Sequence, residues 1–168
     1  MRVITGIARG RKLVTLEGEE VVRPTTDRVK EAMFSIIQFD IPGKSVLDLF
    51  AGSGQLGIEA LSRGAEKAVF VDKSAEAFSV VKQNLKTCGL SDKATVINSD
   101  SFGFLRSTAE KFDIILIDPP YSRQMAETAL SLVDGVLKDG GIVMCETDYR
   151  EDLPEEVGDC LLYTSDAA

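Results

Sequence analysis

The chain of 168 residues contains no histidine, no tryptophan and only three cysteines. Without histidine there is no imidazole base, no Ser-His or Cys-His catalytic pair and no His metal ligand. The cysteines Cys88, Cys145 and Cys160 are far apart and form no Cys-x-x-Cys pair, which argues against a disulfide framework and a structural zinc site. We therefore expect inert thiols and no metal.

Long apolar runs are also absent. No stretch approaches the roughly 18 consecutive apolar residues that a membrane-spanning helix requires. The N-terminal sequence Met-Arg-Val-Ile-Thr-Gly lacks the apolar core of a signal peptide. A composition of 44% hydrophobic and 27% charged residues is enough to form a core. These features predict a cytoplasmic, membrane-free protein, and a monomer is the simplest expectation.

The acidic character is confined to the C-terminal part of the chain. The net charge is −8, but residues 134–168 carry ten acids and two bases, so residues 1–133 are balanced with 17 of each. Residues 1–12 carry only bases, namely Arg2, Arg9, Arg11 and Lys12. Such a local basic patch favours contact with a polyanion, whereas on composition alone it could equally be a solvated surface.

Alternating strands and helices predict the fold. Residues 1–16 read as a short hairpin or arm, and a helical pattern follows up to Pro42-Gly43. From Ser45 onward, short apolar strands alternate with helical segments, the strands being 45–50, 68–71, 94–98, 113–117 and 142–145. This pattern predicts an α/β, doubly wound, Rossmann-like parallel sheet, with an N-terminal arm and helix (1–42) preceding the main domain (43–168).

A glycine loop follows the first predicted strand. Gly52-x-Gly54-x-x-Gly57 matches the dinucleotide fingerprint, and Asp72 follows Gly52 by 20 residues, where a ribose-binding acid is expected. Asp48, directly before the loop, would repel a pyrophosphate but favour a cationic cofactor. S-adenosylmethionine is cationic, and its ribose and adenine could use Asp72 and Asp100. The alternative is that the glycines only permit tight strand-to-helix packing.

The sequence Asp118-Pro119-Pro120-Tyr121 follows the fourth predicted strand. Two prolines stiffen the backbone and remove two N–H donors, which leaves a carboxylate and carbonyls as acceptors. This set suits a planar amine, on which the ring of Tyr121 could stack. A loop stiffened for structural reasons alone would have the same sequence.

Together these motifs resemble a known family. The matching segments are Arg2-Val-Ile-Thr-Gly, Arg9-Gly-Arg-Lys-Leu13, Arg23-Pro-Thr-Thr-Asp-Arg-Val-Lys-Glu31, the run DLFAGSG from Asp48 to Gly54, LGIEALSRG from Leu56 to Gly64, and DPPY from Asp118 to Tyr121. They resemble the bacterial 16S ribosomal RNA guanine-N2 methyltransferases, which use S-adenosylmethionine. The resemblance extends from residue 1 to about Glu146.

The resemblance implies roles for individual residues. The catalytic set would be Asp118, Pro119, Pro120 and Tyr121, with Asp118 and the Pro119 carbonyl binding the guanine amine and Tyr121 stacking on the base. The cofactor set would be Asp48, Phe50, Gly52, Ser53, Gly54, Asp72, Lys73, Asp100 and Ser101. Contacts to 16S ribosomal RNA, or to a small-subunit assembly intermediate, would come from Arg2, Arg9, Arg11, Lys12 and Arg23. No metal is implied.

The C-terminal segment departs from this family. Such domains normally end in a helix and an antiparallel strand pair, and residues 153–168 are too few for these elements and show no periodicity toward their end. We therefore expect the C-terminal strands to be missing, as in a truncated reading frame.

Four functions remain open from the residues. The first is the ribosomal RNA guanine-N2 methyltransferase. The second is methyl transfer to adenine in DNA or to a glutamine amide in a protein. The third is a nicotinamide-dependent oxidoreductase, which the absence of histidine and of a second domain disfavours. The fourth is a catalytically silent RNA-binding scaffold.

Overall fold

The computed structural model of the chain describes residues 1–17, 26–119 and 123–147, together with strands at 156–157 and 160–166. The helices are α1 (Thr26–Ile37), α2 (Gln55–Ser62), α3 (Ala75–Cys88), α4 (Ser101–Ser107) and α5 (Arg123–Val133). The strands are β1 (Ser45–Leu49), β2 (Lys67–Asp72), β3 (Ala94–Asn98), β4 (Phe112–Ile117), β5 (Leu137–Thr147), β6 (Glu156–Val157) and β7 (Cys160–Asp166). Short 3-10 turns lie at Ser91–Lys93 and Asp134–Val136.

The strands form one sheet in the order β3-β2-β1-β4-β5-β7-β6. Pairs among β1 to β5 are parallel, β7 runs parallel to β5, and β6 pairs antiparallel with β7. Helices cover both faces, which confirms the predicted doubly wound α/β sheet. The chain order reverses between β1 and β4, and the loops that follow these two strands therefore border a crevice of the kind in which such sheets bind ligands.

Side-chain alternation along β1 assigns each helix to one face. Val46 packs with the arm, α1, α2 and α3 on one face, and Leu47 and Leu49 pack with α4 and α5 on the other. Because side chains alternate along a strand, Asp48 lies on the same face as Val46, toward α2. Val3, Ala8 and Leu13 of the arm belong to that same core, so the arm and the sheet share one hydrophobic core.

Three predicted elements differ in the structure. Helix α4 was not predicted, because it has only seven residues and begins directly after the predicted loop acid Asp100. The predicted helix over 123–137 ends at Val133, and β5 begins at Leu137 rather than at Ile142. Gly140, with φ 74°, permits the irregularity by which β5 shifts its register against β4.

Two strands, β6 and β7, follow Leu153, where the sequence predicted no regular elements; that the family's own C-terminal strands are missing stays a prediction. The backbone of β7 pairs in parallel with β5, from Val143↔Leu162 to Thr147↔Asp166, and β6 pairs with β7. The family resemblance implied an antiparallel pair in this region, and β6 and β7 do pair antiparallel with each other, while β7 runs parallel to β5. Without β7, β5 would be an edge strand with unpaired backbone groups, and pairing with β7 satisfies them.

At the amino ends of the strands, opposite to the crevice, Asp113 ties β4 to β1. Its Oδ2 accepts hydrogen bonds from the amide and the hydroxyl of Ser45 at 2.9 and 3.0 Å, and Lys138 Nζ lies 3.3 Å away. Burial raises the pKa of Asp113, but the bonds from Ser45 and Lys138 outweigh it, so the net pKa is lower than usual. This carboxylate therefore stabilises the fold at neutral pH.

We expect Asp113→Asn to lower the free energy of unfolding by about 1–2 kcal/mol at neutral pH, because hydrogen bonds to a charged acceptor are the stronger ones. Because the pKa of Asp113 is lower in the folded state, its carboxylate adds to the free energy of unfolding at any pH above the ordinary Asp pKa of about 3.9. This contribution is lost as the pH falls through the folded-state pKa. Urea unfolding at neutral and acid pH tests this, with Asp139→Asn at an exposed position as control. An equal loss from Asp113→Asn at both pH values would contradict the assignment.

Candidate active site

The predicted site residues lie at the carboxyl edge of the sheet, on both sides of β1. Asp72 ends β2, Asp118 follows β4, and the glycine loop from Phe50 to Gly54 follows β1 between them. Neighbouring strands are about 4.8 Å apart, so these three groups border the same crevice. Asp100 follows β3, one strand beyond Asp72.

The glycine loop turns through left-handed backbone conformations. Gly52 and Gly54 have φ of 57° and 81°, and Phe50, with φ 55°, is the one non-glycine residue with positive φ in the described chain. A bulky residue in this region is strained and is found mainly at functional sites. The Phe50 ring meets that of Phe102 edge to face, with centroids 5.7 Å apart. Sequence reasoning missed Phe102, because α4 was not predicted.

Asp48 lies beneath the loop, with only 1% of its surface exposed. Its Oδ2 accepts the amide N–H of Gly57 at 2.9 Å, in the first turn of α2, where a negative charge is favourable to the helix. A Cβ on Gly57 would lie 2.4 Å from the ring of Phe70. Gly57 is therefore explained by packing, and Asp48 fixes the start of α2; direct contact of Asp48 with a cofactor stays a prediction.

Asp72 joins the loops that follow β1 and β2. Its Oδ2 accepts the amide N–H of Gly52 at 2.9 Å, and its Oδ1 accepts that of Ser74 at 2.9 Å. Each carboxylate oxygen has a second lone pair. The half-buried carboxylate can thus hold the loop and still accept two hydroxyl groups, which is what binding to a ribose diol requires.

The remaining members of the predicted cofactor set differ in their surroundings. Asp100 is exposed and caps α4, with its Oδ2 accepting the amide N–H of Gly103 at 2.8 Å. Ser101 and Ser53 are buried, and Lys73 is exposed. A role for Asp100 at the adenine would use the oxygen that does not cap the helix. Contacts of Ser53 and Lys73 with a cofactor stay predictions.

Of the predicted catalytic set, the structure describes two residues. Asp118 is half-buried and Pro119 is buried, directly after β4. Pro120 and Tyr121 lie outside the described residues. At Asp118 and Pro119 the carboxylate and the carbonyl present oxygen acceptors, and Pro119 has no N–H donor.

The N-terminal arm carries its basic side chains on the surface. Arg2 pairs with Lys12 in an antiparallel bridge, and Arg2, Lys12, Arg9 and Arg11 are all exposed. Directly opposite residues of an antiparallel pair project from the same face, so Arg2 and Lys12 form one patch. Arg23 lies outside the described residues.

A buried carboxylate that sequence reasoning missed anchors this arm. Glu59 of α2, with 0% of its surface exposed, accepts the amide N–H groups of Ile4 and Thr5 at 2.8 and 3.1 Å. Lys30 Nζ lies 3.6 Å from Glu59 and donates to the carbonyl of Arg2 at 2.9 Å. Burial lowers the pKa of Lys30, and the Glu59 carboxylate opposes this. An acid within the apolar run Leu-Gly-Ile-Glu-Ala-Leu was the signal available.

We expect Glu59→Gln to destabilise the fold by about 3–5 kcal/mol, because it leaves the Lys30 ammonium buried without its counter-charge. Urea unfolding measures the loss, and trypsin cleavage at the arm's arginines measures its detachment. The double variant with Lys30→Met is expected to recover part of the loss. If Glu59→Gln alone were as stable as the wild type, the ion pair between Lys30 and Glu59 would not be what holds the arm.

None of the helices within the described ranges is long and apolar enough to span a membrane. In that same part of the chain, no three or more cysteine, aspartate or glutamate side chains are grouped so as to hold a metal ion.

The strand order, the glycine loop after β1 and the acid at the end of β2 are those of the class I methyltransferase fold. The family described as Conserved hypothetical protein 95 matches residues 1–167, and the chain belongs to this family.

Similar proteins agree with this assignment. The chain is 44% identical to the "Putative rRNA methyltransferase YlbH" of Bacillus subtilis, over 96% of this chain and 90% of that protein. It is 41% identical to the ribosomal RNA small subunit methyltransferase D of Haemophilus influenzae, over 91% and 81%. The solved structure of the "Putative methyltransferase yhhF" of Escherichia coli superimposes with a TM-score of 0.82 at 34% identity, covering 92% of this chain and 84% of that one. The family resemblance inferred from the sequence is confirmed.

Proposed function

We propose that this chain transfers a methyl group from S-adenosylmethionine to the exocyclic N2 amine of a guanine in the 16S ribosomal RNA of the small subunit. The observation that carries the proposal is the placement of Asp72 and Asp118 on opposite sides of the glycine loop, at the point where the strand order reverses. The names of the relatives, which are ribosomal RNA methyltransferases, support the substrate class.

The groups at the crevice fit this cofactor. S-adenosylmethionine, when bound, supplies an electrophilic methyl group on a sulfonium and carries a cationic amine. The crevice offers acceptors and negative charge, with Asp72 for the ribose hydroxyls. Gln55, at the first position of α2, is 5% exposed, and its Oε1 has no hydrogen-bond partner among the described residues. Such a buried acceptor beside the glycine loop is suited to an ammonium group.

Asp118 and Pro119 supply the acceptors for the amine. A guanine amine is a poor nucleophile because its lone pair is delocalised into the ring. The Asp118 carboxylate and the Pro119 carbonyl would each accept one N–H and so orient the nitrogen lone pair toward the cofactor side of the crevice. Asp118 need not be a strong base, since the amine proton can leave after the new C–N bond has formed. Tyr121 would stack on the base.

The exposed arm supplies affinity for RNA. Arg2, Arg9, Arg11 and Lys12, with Arg23, suit phosphate contacts that do not read sequence. The guanine must leave its stack to reach the crevice, which favours a loop or a weakly paired site. We place the activity in the cytoplasm, where ribosomal subunits assemble, and infer that a monomer suffices because all the proposed groups come from one chain.

Two other functions fit less well. Methyl transfer to DNA adenine or to a glutamine amide would use the same cofactor, but the basic arm favours RNA. A nicotinamide cofactor would bring a pyrophosphate close to the carboxylate of Asp48, where the charges repel.

Calorimetric titration with S-adenosylmethionine, and with NAD as the parallel control, tests the cofactor directly. We expect heat of binding with the first ligand and none with the second. Binding of NAD alone would overturn the methyltransferase assignment.

A further inference from the structure

Asn84 of α3 connects the N-terminal arm to the glycine loop. Its side chain has 0% of its surface exposed and lies outside the proposed catalytic set. Its Oδ1 accepts the amide N–H of Val14 at 2.8 Å, and its Nδ2 donates to the carbonyls of Val14 and Ser53 at 2.9 Å each. One amide group therefore binds both backbone groups of Val14 and a carbonyl of the loop.

These bonds specify both the orientation and the identity of the side chain. Rotating the amide by half a turn would place an oxygen against two carbonyls and an NH₂ group against an N–H. Aspartate could keep the bond from Val14 but would have no amide N–H groups to donate to the two carbonyls. Only an amide of this length satisfies all three bonds, which indicates that the connection between arm and loop is specific.

Other contacts also confine the loop between α3 and the arm. A Cβ built on Gly54 would lie 3.1 Å from both methyl groups of Val81 in α3, so the loop lies directly against that helix. On the arm side, the Ser53 hydroxyl lies 3.8 Å from the Met1 sulfur. A shift in the loop backbone at Ser53 would therefore also displace its contacts in α3 and in the arm.

We propose that Asn84 is a positioning residue that couples cofactor binding at the glycine loop to RNA binding by the arm; this inference rests on the proposed function. A ligand that orders the loop fixes the Ser53 carbonyl, and Asn84 passes this constraint to Val14, two residues after Lys12. Coupling of this kind is reciprocal, so RNA on the arm strengthens cofactor binding by the same factor.

The coupling factor is measurable with S-adenosylhomocysteine, which cannot donate a methyl group. The affinity of the chain for an unmodified 16S ribosomal RNA transcript is determined with and without saturating S-adenosylhomocysteine. For the wild type we expect the ligand to raise RNA affinity by about fivefold or more, the lower range of typical couplings. In Asn84→Ala this factor is expected to fall to about one, a loss that a purely structural role would not produce.

Ser62→Ala is the matched control. Ser62 is also buried and holds the arm, donating its hydroxyl to the Thr5 carbonyl and accepting the Ala8 amide N–H, but it makes no bond to the glycine loop. It is expected to lower stability while keeping the coupling factor. Retention of coupling in Asn84→Ala, or its loss in both variants alike, would overturn the proposal.

A measurement on the wild type alone covers the case in which Asn84→Ala does not fold. The amides of Val3 and Leu13 donate to Arg11 and Met1 within the arm, and S-adenosylhomocysteine is expected to slow their hydrogen exchange several-fold. If the ligand binds but exchange in the arm does not change, the coupling is wrong and the proposed function stands. If the ligand does not bind at all, the proposed function itself fails, and the coupling fails with it.

Discussion

Asp118→Ala is expected to reduce methyl transfer to a small residual rate and to leave cofactor affinity nearly unchanged, the largest effect that the structure predicts. Asp118 follows β4, across the crevice from Asp72. In the proposed function, its loss would remove an acceptor for the guanine amine and none for the ribose. Removing one group that orients or stabilises the reacting centre typically lowers kcat by about 10²–10³-fold. Radiolabelled methyl transfer to unmodified 16S ribosomal RNA measures kcat, and calorimetry measures the dissociation constant of the cofactor.

The control for this variant lies on the same strand. Asp113→Asn changes an aspartate at the opposite end of β4 and is expected to reduce stability while kcat is retained at a temperature where the protein stays folded. Wild-type turnover in Asp118→Ala would show that the loop after β4 does not bind the amine.

Asp72→Ala is expected to weaken cofactor binding by about 10- to 100-fold, because hydrogen bonds to a charged acceptor are each worth about 1.5–3 kcal/mol. Asp72 also holds Gly52 and Ser74 through their amides, so its loss loosens the glycine loop as well. The dissociation constant for S-adenosylmethionine, from calorimetry, is the direct readout.

Ser74→Ala is a stability control for Asp72→Ala, because it removes a helix cap and keeps the Ser74 amide that donates to Asp72. The Ser74 hydroxyl accepts the amide N–H of Ala77 at 3.2 Å and caps α3 without contacting the glycine loop. This variant is expected to cost about 1 kcal/mol in stability, with cofactor affinity kept. An Asp72→Ala protein that binds the cofactor as tightly as the wild type would remove Asp72 from the site.

Strands β1 to β5 could be predicted from sequence because they are short apolar runs bounded by glycines and polar loops, whereas β6 and β7 were not predicted. The same pattern predicted which edge of the sheet carries the site, because the carboxyl ends of the parallel strands meet at that edge. Asp72 and Asp118 were located in this way. Helix α4 was missed because seven residues containing Gly103 and two serines give a weak helical signal.

The anchors of the arm could not be predicted, because their partners are distant in the chain. Glu59 bonds to Ile4 across 55 residues, and Asn84 bonds to Val14 across 70. Local propensity carries no information about such pairs. A glutamate or an asparagine on a helix face is normally solvated, and only tertiary packing reveals that these two are buried.

The most direct test of the central claim is to identify the methylated nucleoside. Unmodified small subunits or 16S ribosomal RNA are incubated with the chain and labelled S-adenosylmethionine, digested to nucleosides and separated, with DNA and a glutamine-containing peptide as parallel acceptors. We expect the label in N2-methylguanosine of the ribosomal RNA alone, and only a small residual amount when Asp118→Ala replaces the wild type. The account would be contradicted if the label appeared in adenine of the DNA or in the glutamine amide. It would also be contradicted if the cofactor bound and no acceptor were labelled.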